Sequence, residues 1–171
     1  PENSIVTHDA GAPRDCMVPF YNATLPNSYI GWGKTTHLGF GIPLMVGAKI
    51  AHPDKFCLNL MGDGAFGMSG LDLETSVRAE LPITTVLLNN GAMSTYEGTS
   101  LIGPVSKKEY GVSSMKGDYA KIAKGLGAEG IRVEKPNELE MALKNAQQLN
   151  KDGKTVLIDV ISNVESRRSK F

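Results

Sequence analysis

Residues 56–67 read Phe56-Cys57-Leu58-Asn59-Leu60-Met61-Gly62-Asp63-Gly64-Ala65-Phe66-Gly67, and residues 83–90 read Ile83-Thr84-Thr85-Val86-Leu87-Leu88-Asn89-Asn90. The apolar run from Phe56 to Met61 is predicted to be a strand that stops at Gly62-Asp63-Gly64. A helix is expected from about Ser69 to Glu80. The β-branched and leucine run from Ile83 to Leu88 reads as a strand buried on both faces, and it ends at Asn89-Asn90. A strand–helix–strand crossover of this length implies parallel pairing.

The pattern continues in both directions. Upstream, Ser4 to Thr7 reads as a strand ending at His8-Asp9-Ala10-Gly11. Residues 12–21 suit a helix, weakened by Pro19, and Ser28-Tyr29-Ile30 suits a short strand. A helix is predicted from about Gly39 to Ala51, with Pro43 near its first turn, where proline is tolerated. Downstream, residues 91–116 show no period and read as a long loop, usually a functional one. Tyr119, Ile122, Ala123 and Leu126 mark a helix face that Gly127 can stop. Gly130 to Val133 is a strand. Asn137, with Glu140 three residues on, has the form of a capping box. The helix it would open buries Leu139, Ala142, Leu143, Ala146 and Leu149, and Thr155 to Ile161 is the last strand. The alternation predicts one α/β domain over residues 1–171: a doubly wound, mostly parallel sheet with helices on both faces. Such sheets bind ligands beyond the carboxyl ends of their strands. His8-Asp9, Asp63 and Asn89-Asn90 all fall there.

Composition narrows the function classes. The chain has 171 residues, with 18 Lys plus Arg against 18 Asp plus Glu. A neutral balance argues against a general nucleic-acid binder. Apolar residues make up 41%, enough for a real core. No apolar run approaches the ~20 residues that span a bilayer, and no signal peptide is visible. Two cysteines, Cys16 and Cys57, make no disulfide framework and point to the reducing cytoplasm. The chain opens on Pro1 without an initiator methionine, which suggests a processed subunit or a piece of something longer.

The glycines allow three readings. Gly62 to Gly67 matches G-x-G-x-x-G between a strand and a helix, the dinucleotide fingerprint. That reading wants an acidic residue at the end of the next strand, where this chain has two asparagines. It also places the Asp63 carboxylate where a pyrophosphate should approach, and the two repel unless a cation lies between them. Gly31-Trp32-Gly33-Lys34-Thr35 contains the end of a P-loop, but Ser28 stands where that motif needs its first glycine. The third reading pairs Asp63 with Asn90, 27 residues apart and at the ends of consecutive strands. One carboxylate, one amide oxygen and a main-chain carbonyl suit Mg²⁺, which fills its remaining shell with phosphate oxygens and water. Gly64 and Ala65 would then offer amides at a helix start to the same anion.

At these residues the chain resembles the thiamine diphosphate motif, Gly-Asp-Gly followed after about 25 residues by Asn-Asn. His37-Leu38-Gly39-Phe40-Gly41-Ile42-Pro43 and the stretch from Gly62 to Arg78 are similar to the C-terminal, diphosphate-binding domain of the acetolactate synthase and 2-oxoacid decarboxylase family. The similarity covers about residues 4–162.

The resemblance implies thiamine diphosphate and Mg²⁺ as cofactors. It implies that Asp63 and Asn90 bind the metal by side chain and Ala92 by its carbonyl. Gly62, Gly64 and Ala65 would meet the diphosphate, with Gly11 beside it. Leu38 would be the apolar wedge that bends the cofactor, and the main chain of Thr36 to Leu38 would hold its aminopyrimidine. His37, next to the wedge, would stand within reach of substrate, and Met93 would border the cofactor with Ser94 and Tyr96 at the start of the long loop. The implied reaction is decarboxylation of a 2-oxoacid with transfer to a second carbonyl compound. Simple decarboxylation and a non-catalytic cofactor-binding subunit are the alternatives. The family's essential glutamate belongs to a separate pyrimidine-binding domain, so the resemblance also implies such a partner in trans and an oligomer. Elsewhere, His8 is a second candidate to face the site, and His52 is expected in solvent. Cys16 and Cys57 are expected as packed thiols, Glu74 as structural, and residues 166–170 as a solvated tail.

Overall fold

Six parallel strands form one sheet in a computed structural model that describes residues 1–31, 37–93 and 104–164. The strands are β1 (Ser4–His8), β2 (Tyr29–Ile30), β3 (Phe56–Gly62), β4 (Thr84–Asn89), β5 (Glu129–Val133) and β6 (Val156–Ile161). Their spatial order is β2-β1-β3-β4-β6-β5. The helices are α1 (Ala12–Met17), α2 (Gly41–Ala51), α3 (Asp63–Ser69), α4 (Asp72–Arg78), α5 (Pro104–Tyr110), α6 (Tyr119–Gly125) and α7 (Leu139–Lys151).

Two apolar layers hold them to the sheet. On one face Cys57 and Met61 of β3 and Ile83 and Leu87 beside them pack under α2, α3, α4 and α6, through Ile42, Met45, Phe66, Leu73 and Ala123. On the other face Val86, Val156 and Ile158 meet Ala142 and Ala146 of α7, with Leu139, Leu143 and Leu149 half-buried around them. This is the doubly wound sheet that the pattern predicts. Among the described residues no helix is long and apolar enough to cross a membrane.

Several local expectations are corrected. The helix expected from Ser69 begins six residues earlier, at Asp63, and breaks at Gly70-Leu71 before α4. Glycines at 62, 64, 67 and 70 depress helix propensity there, but burial of Ala65 and Phe66 overrides it. The unpatterned stretch 91–116 contains α5 and a short antiparallel bridge of Ala92 with Ser114. Asn137 is not the cap of α7. It sits in a 3₁₀ turn, Pro136–Glu138, where the Glu138 carboxylate accepts from the amides of Glu134 and Lys135. That contact holds Glu138 below the usual carboxylate range. Cys57 is buried, whereas Cys16 is exposed rather than packed. Glu74 pairs with Arg78 on the surface.

Order β2-β1-β3 creates a topological switch point. The chain leaves β1 to one side and returns to β3 on the other, so a crevice opens between their carboxyl ends. The fold thus sets a ligand position before any side chain is considered.

One close approach tests the packing of the far edge. A Cβ on Gly130 of β5 would stand 2.0 Å from the Ala120 carbonyl oxygen, while one on Gly125 meets nothing within 4 Å. Because the obstacle is backbone, Gly130→Ala should displace α6 and cost at least the ~1–3 kcal/mol typical of overpacking. Gly125→Ala should be neutral or slightly stabilising. Urea melts of both variants check this, and equal midpoints would contradict it.

Candidate functional site

In the ladder, Gly62 of β3 lies opposite Leu88 of β4, so Asp63 and Asn90 leave the sheet at the same edge. Asp63 opens α3 and is 2% exposed. Its Oδ1 accepts from the Gly64 amide at 2.8 Å, and its Oδ2 accepts from the Gly91 amide at 2.9 Å. Gly91 reaches this position with φ of +68°, a left-handed turn that favours glycine. Burial raises the Asp63 pKa above its ordinary 3.8, against the opposing pull of the amides of Gly64, Gly91 and Ala92. Among the described residues no lysine or arginine pairs with Asp63. A buried carboxylate with no cationic partner costs several kcal/mol, and a bound cation would offset that cost.

Asn90 brings a neutral amide oxygen to the same edge of the sheet. Asn90 Oδ1 accepts from the Ala92 amide at 3.0 Å. The bridge to Ser114 uses the Gly91 carbonyl, held by the Met115 amide at 2.9 Å, and the Met93 amide, which donates to Ser113 at 2.9 Å. Ala92 lies between them, so by strand alternation its carbonyl points away from that pairing. Among the described residues no three His, Cys, Asp or Glu side chains form a metal cluster. One carboxylate with neutral oxygens matches the sparse protein ligation of Mg²⁺, not a closed zinc site. The residues present fit a hard divalent ion.

Gly64 is roofed by Met93: a Cβ on Gly64 would meet Met93 Cγ at 3.0 Å. Asn89, the first asparagine of the pair, turns the other way. Its Nδ2 donates to Asp159 Oδ1 at 2.9 Å and to the Gly117 carbonyl at 3.3 Å. Tyr119 is buried beside the same acids, edge-on to Phe66 with ring centroids 5.3 Å apart. Burial first, then the charges of Asp63 and Asp159, push its pKa to about 12.

The crevice has a second wall at the end of β1. Asp9 is fully buried. Its Oδ1 accepts from the amides of Ala10 at 2.8 Å and Gly39 at 3.1 Å, and its Oδ2 accepts from the Gly41 amide at 3.1 Å. Asp9 also donates its own amide to the Leu60 carbonyl at 2.7 Å, tying β1 to β3. It therefore pins the turn that carries Leu38 to the start of α2. Leu38 is half-buried against the core, and His37 is exposed, edge-on to Phe40 at 6.1 Å. Gly11 precedes α1, whose Pro13 side chain lies 3.9 Å from where a Gly62 Cβ would stand. His8 is buried, with its ring 5.7 Å from that of Tyr29 and its Nδ1 3.0 Å from the Asp9 carbonyl. His52 is exposed.

The structure thus brings Asp63, Gly64, Asn90, Ala92 and Met93 together, with Gly11, Gly62 and Leu38 on the flanking crevice. Thr36, Ser94, Tyr96, residues 166–170 and the Trp32 to Thr35 part of the P-loop-like stretch lie outside the described residues. Sequence reasoning assigned no role to Asp9 or Asp159. Asp9 stood in view at a strand end. Asp159 carried its own signal, a lone charge inside Val156-Leu157-Ile158-Asp159-Val160-Ile161, which a buried strand admits only with partners.

Residues 9–160 match the family described as "Thiamine pyrophosphate enzyme, C-terminal TPP binding domain". The chain is 31% identical over 147 residues to a probable acetolactate synthase large subunit of Methanococcus aeolicus, covering 85% of this chain and 24% of that protein. It is 30% identical over 163 residues to 2-hydroxyacyl-CoA lyase 2 of Bos taurus, covering 94% and 26%. It therefore spans about a quarter of the length of these curated relatives. Among solved structures, the thiamine diphosphate-dependent 4-hydroxybenzoylformate decarboxylase of Rhodococcus jostii RHA1 superposes with a TM-score of 0.80 at 25% identity, covering 98% of this chain and 31% of that one. From the Asp9 clamp to the end of β6, then, the chain belongs to the thiamine pyrophosphate enzymes as a C-terminal TPP-binding domain.

Proposed function

We propose that this domain holds thiamine diphosphate through Mg²⁺ and serves an acetolactate synthase-like enzyme that decarboxylates a 2-oxoacid and transfers the product to a second carbonyl compound. The observation that carries the metal is the buried Asp63 carboxylate, held only by amides and lacking a cationic partner among the described residues. Asp63, Asn90 and the Ala92 carbonyl would hold the ion. Gly62, Gly64, Ala65 and Gly11 would present backbone to the diphosphate, and Met93 would border it. Leu38 would be the wedge, kept in place by Asp9, with the main chain of Thr36 alongside it and His37 facing substrate. Thiamine diphosphate, when bound, supplies an electron sink for the carbanion released by decarboxylation.

The domain's own contribution is binding, orientation and exclusion of water. The groups that start proton transfer belong, on this reading, to a pyrimidine-binding domain or subunit in an oligomeric enzyme. Names among the relatives, such as the sulfoacetaldehyde acetyltransferase of Alcaligenes xylosoxydans xylosoxydans, favour transfer. The name of the 4-hydroxybenzoylformate decarboxylase favours simple decarboxylation as the second reading.

Calorimetric titration with Mg²⁺ and thiamine diphosphate tests the metal assignment. Asp63→Ala should lower the apparent affinity by at least about tenfold, since one charged ligand is worth more than ~1.4 kcal/mol. An identical isotherm would remove the assignment. The isolated chain should show no 2-oxoacid turnover and should gain it on addition of a pyrimidine-binding partner, as followed by CO₂ release; turnover by the chain alone would overturn the division of labour. The raised Asp63 pKa also fixes a sign. The folded state holds this proton more tightly than the unfolded chain. Without metal, the stability of the parent relative to Asp63→Asn should rise as pH falls from the raised folded value toward 3.8, and it should be lost again as pH rises. Paired thermal melts across that window read it, and a constant difference would contradict it.

A further inference from the structure

Asp159 is fully buried in β6, between β4 and β5 in the sheet. Its register partners are Leu87 of β4 and Arg132 of β5. A carboxylate in such a strand is retained only if its lone pairs are filled. Here Oδ1 accepts from Asn89 Nδ2 at 2.9 Å, and Oδ2 accepts from the Tyr119 amide at 3.1 Å and more weakly from Ala120 at 3.4 Å. Arg132 lies 3.8 Å away from the open side.

Asn89 is the residue through which this anchor reaches the site. One amide hydrogen goes to Asp159 and the other to the Gly117 carbonyl at 3.3 Å. Two residues earlier, the Met115 amide holds the Gly91 carbonyl, while the Gly91 amide holds Asp63. Residues 89–91 and 115–117 are therefore closed into a ring by two hydrogen bonds. The backbone of Asn90 lies inside that ring, next to the Gly91 amide that holds Asp63.

We propose that Asn89 and Asp159 are positioning residues: Asp159, acting through the Asn89 amide, holds the Asn90–Ala92 turn so that its oxygens stay beside Asp63. The paired asparagines then divide the work, one facing the ligand position and the other facing the sheet. This rests on the reading of Asp63 and Asn90 as metal ligands.

The test compares the protein with Asn89→Ala, Asp159→Asn and Leu149→Ala. The last removes a half-buried side chain from the opposite layer and serves as a destabilised control. Two quantities are read: Mg²⁺ affinity at fixed thiamine diphosphate, and amide hydrogen exchange over residues 89–93. Asn89→Ala should lower Mg²⁺ affinity at least tenfold and speed exchange of the Gly91 and Ala92 amides at least tenfold. Asp159→Asn turns an amide donor against either the Asn89 amide or the Tyr119 and Ala120 amides and should shift both quantities in the same direction. Leu149→Ala should lower the melting temperature with neither effect. Changes in Asn89→Ala no larger than in Leu149→Ala would overturn the proposal. If the parent binds no Mg²⁺, the metal reading fails, and exchange alone decides the clamp: faster exchange in Asn89→Ala and Asp159→Asn but not in Leu149→Ala supports it, and equal exchange in all variants overturns it.

Discussion

The hydrogen bond from the Gly91 amide to the Asp63 carboxylate joins two points 28 residues apart and closes the β3–β4 crossover at the edge where a ligand would sit. It forms only if β3 and β4 pair in the observed register, with Gly62 opposite Leu88. A slip of one residue would turn Met61 and Leu87 out of their layer and would carry Asp63 away from Gly91. The apolar core and the site are thus set by a single register. The burial that orders the sheet is also what strips water from Asp63 and raises its pKa.

Three buried carboxylates share one construction along this edge. Asp9 receives the amides of Ala10, Gly39 and Gly41; Asp63 receives those of Gly64 and Gly91; Asp159 receives those of Tyr119 and Ala120 together with the Asn89 side chain. Each acid stands in or just past a strand and gathers amides from a segment distant in sequence or from a helix start. An ionised carboxylate accepts up to about four bonds and donates none. One such group can therefore pin a whole turn, where a neutral amide side chain would bring donors of its own into the cluster. The sheet is tied to its connecting segments at three places, and the crevice between β1 and β3 lies between the first two.

The fold was legible because its cause is local. Apolar runs of strand length alternate with amphipathic helices, and parallel pairing follows from the length of each crossover. The juxtaposition of Asp63 and Asn90 was legible for a different reason: they end consecutive strands, so topology alone brings them to one edge. What escaped depended on contacts between distant segments. The glycines before Gly70 looked like turn, and only the burial of Ala65 and Phe66 in the finished core makes α3 a helix from Asp63 onward. Asn137 had capping chemistry, but Pro136 draws that segment into a 3₁₀ turn that Glu138 serves instead. The roles of Asp9 and Asp159 are fixed by which amides face them, and that is a property of three-dimensional neighbours rather than of spacing.

The same accounting bears on where the proton chemistry of the proposed reaction resides. Asp9 and Asp159 have their oxygens committed to the turns they hold, and Asp63 is committed to amides on one side and to the proposed ion on the other. A general base needs a lone pair that reaches the reacting group, and all three acids are buried with two or three donors already on their oxygens. His8 is buried against Tyr29 and the Asp9 carbonyl. Among the described residues of this edge, the exposed His37 is the one titratable side chain facing outward from the Leu38 turn. The proposed function accordingly places the remaining proton chemistry on a partner domain or subunit.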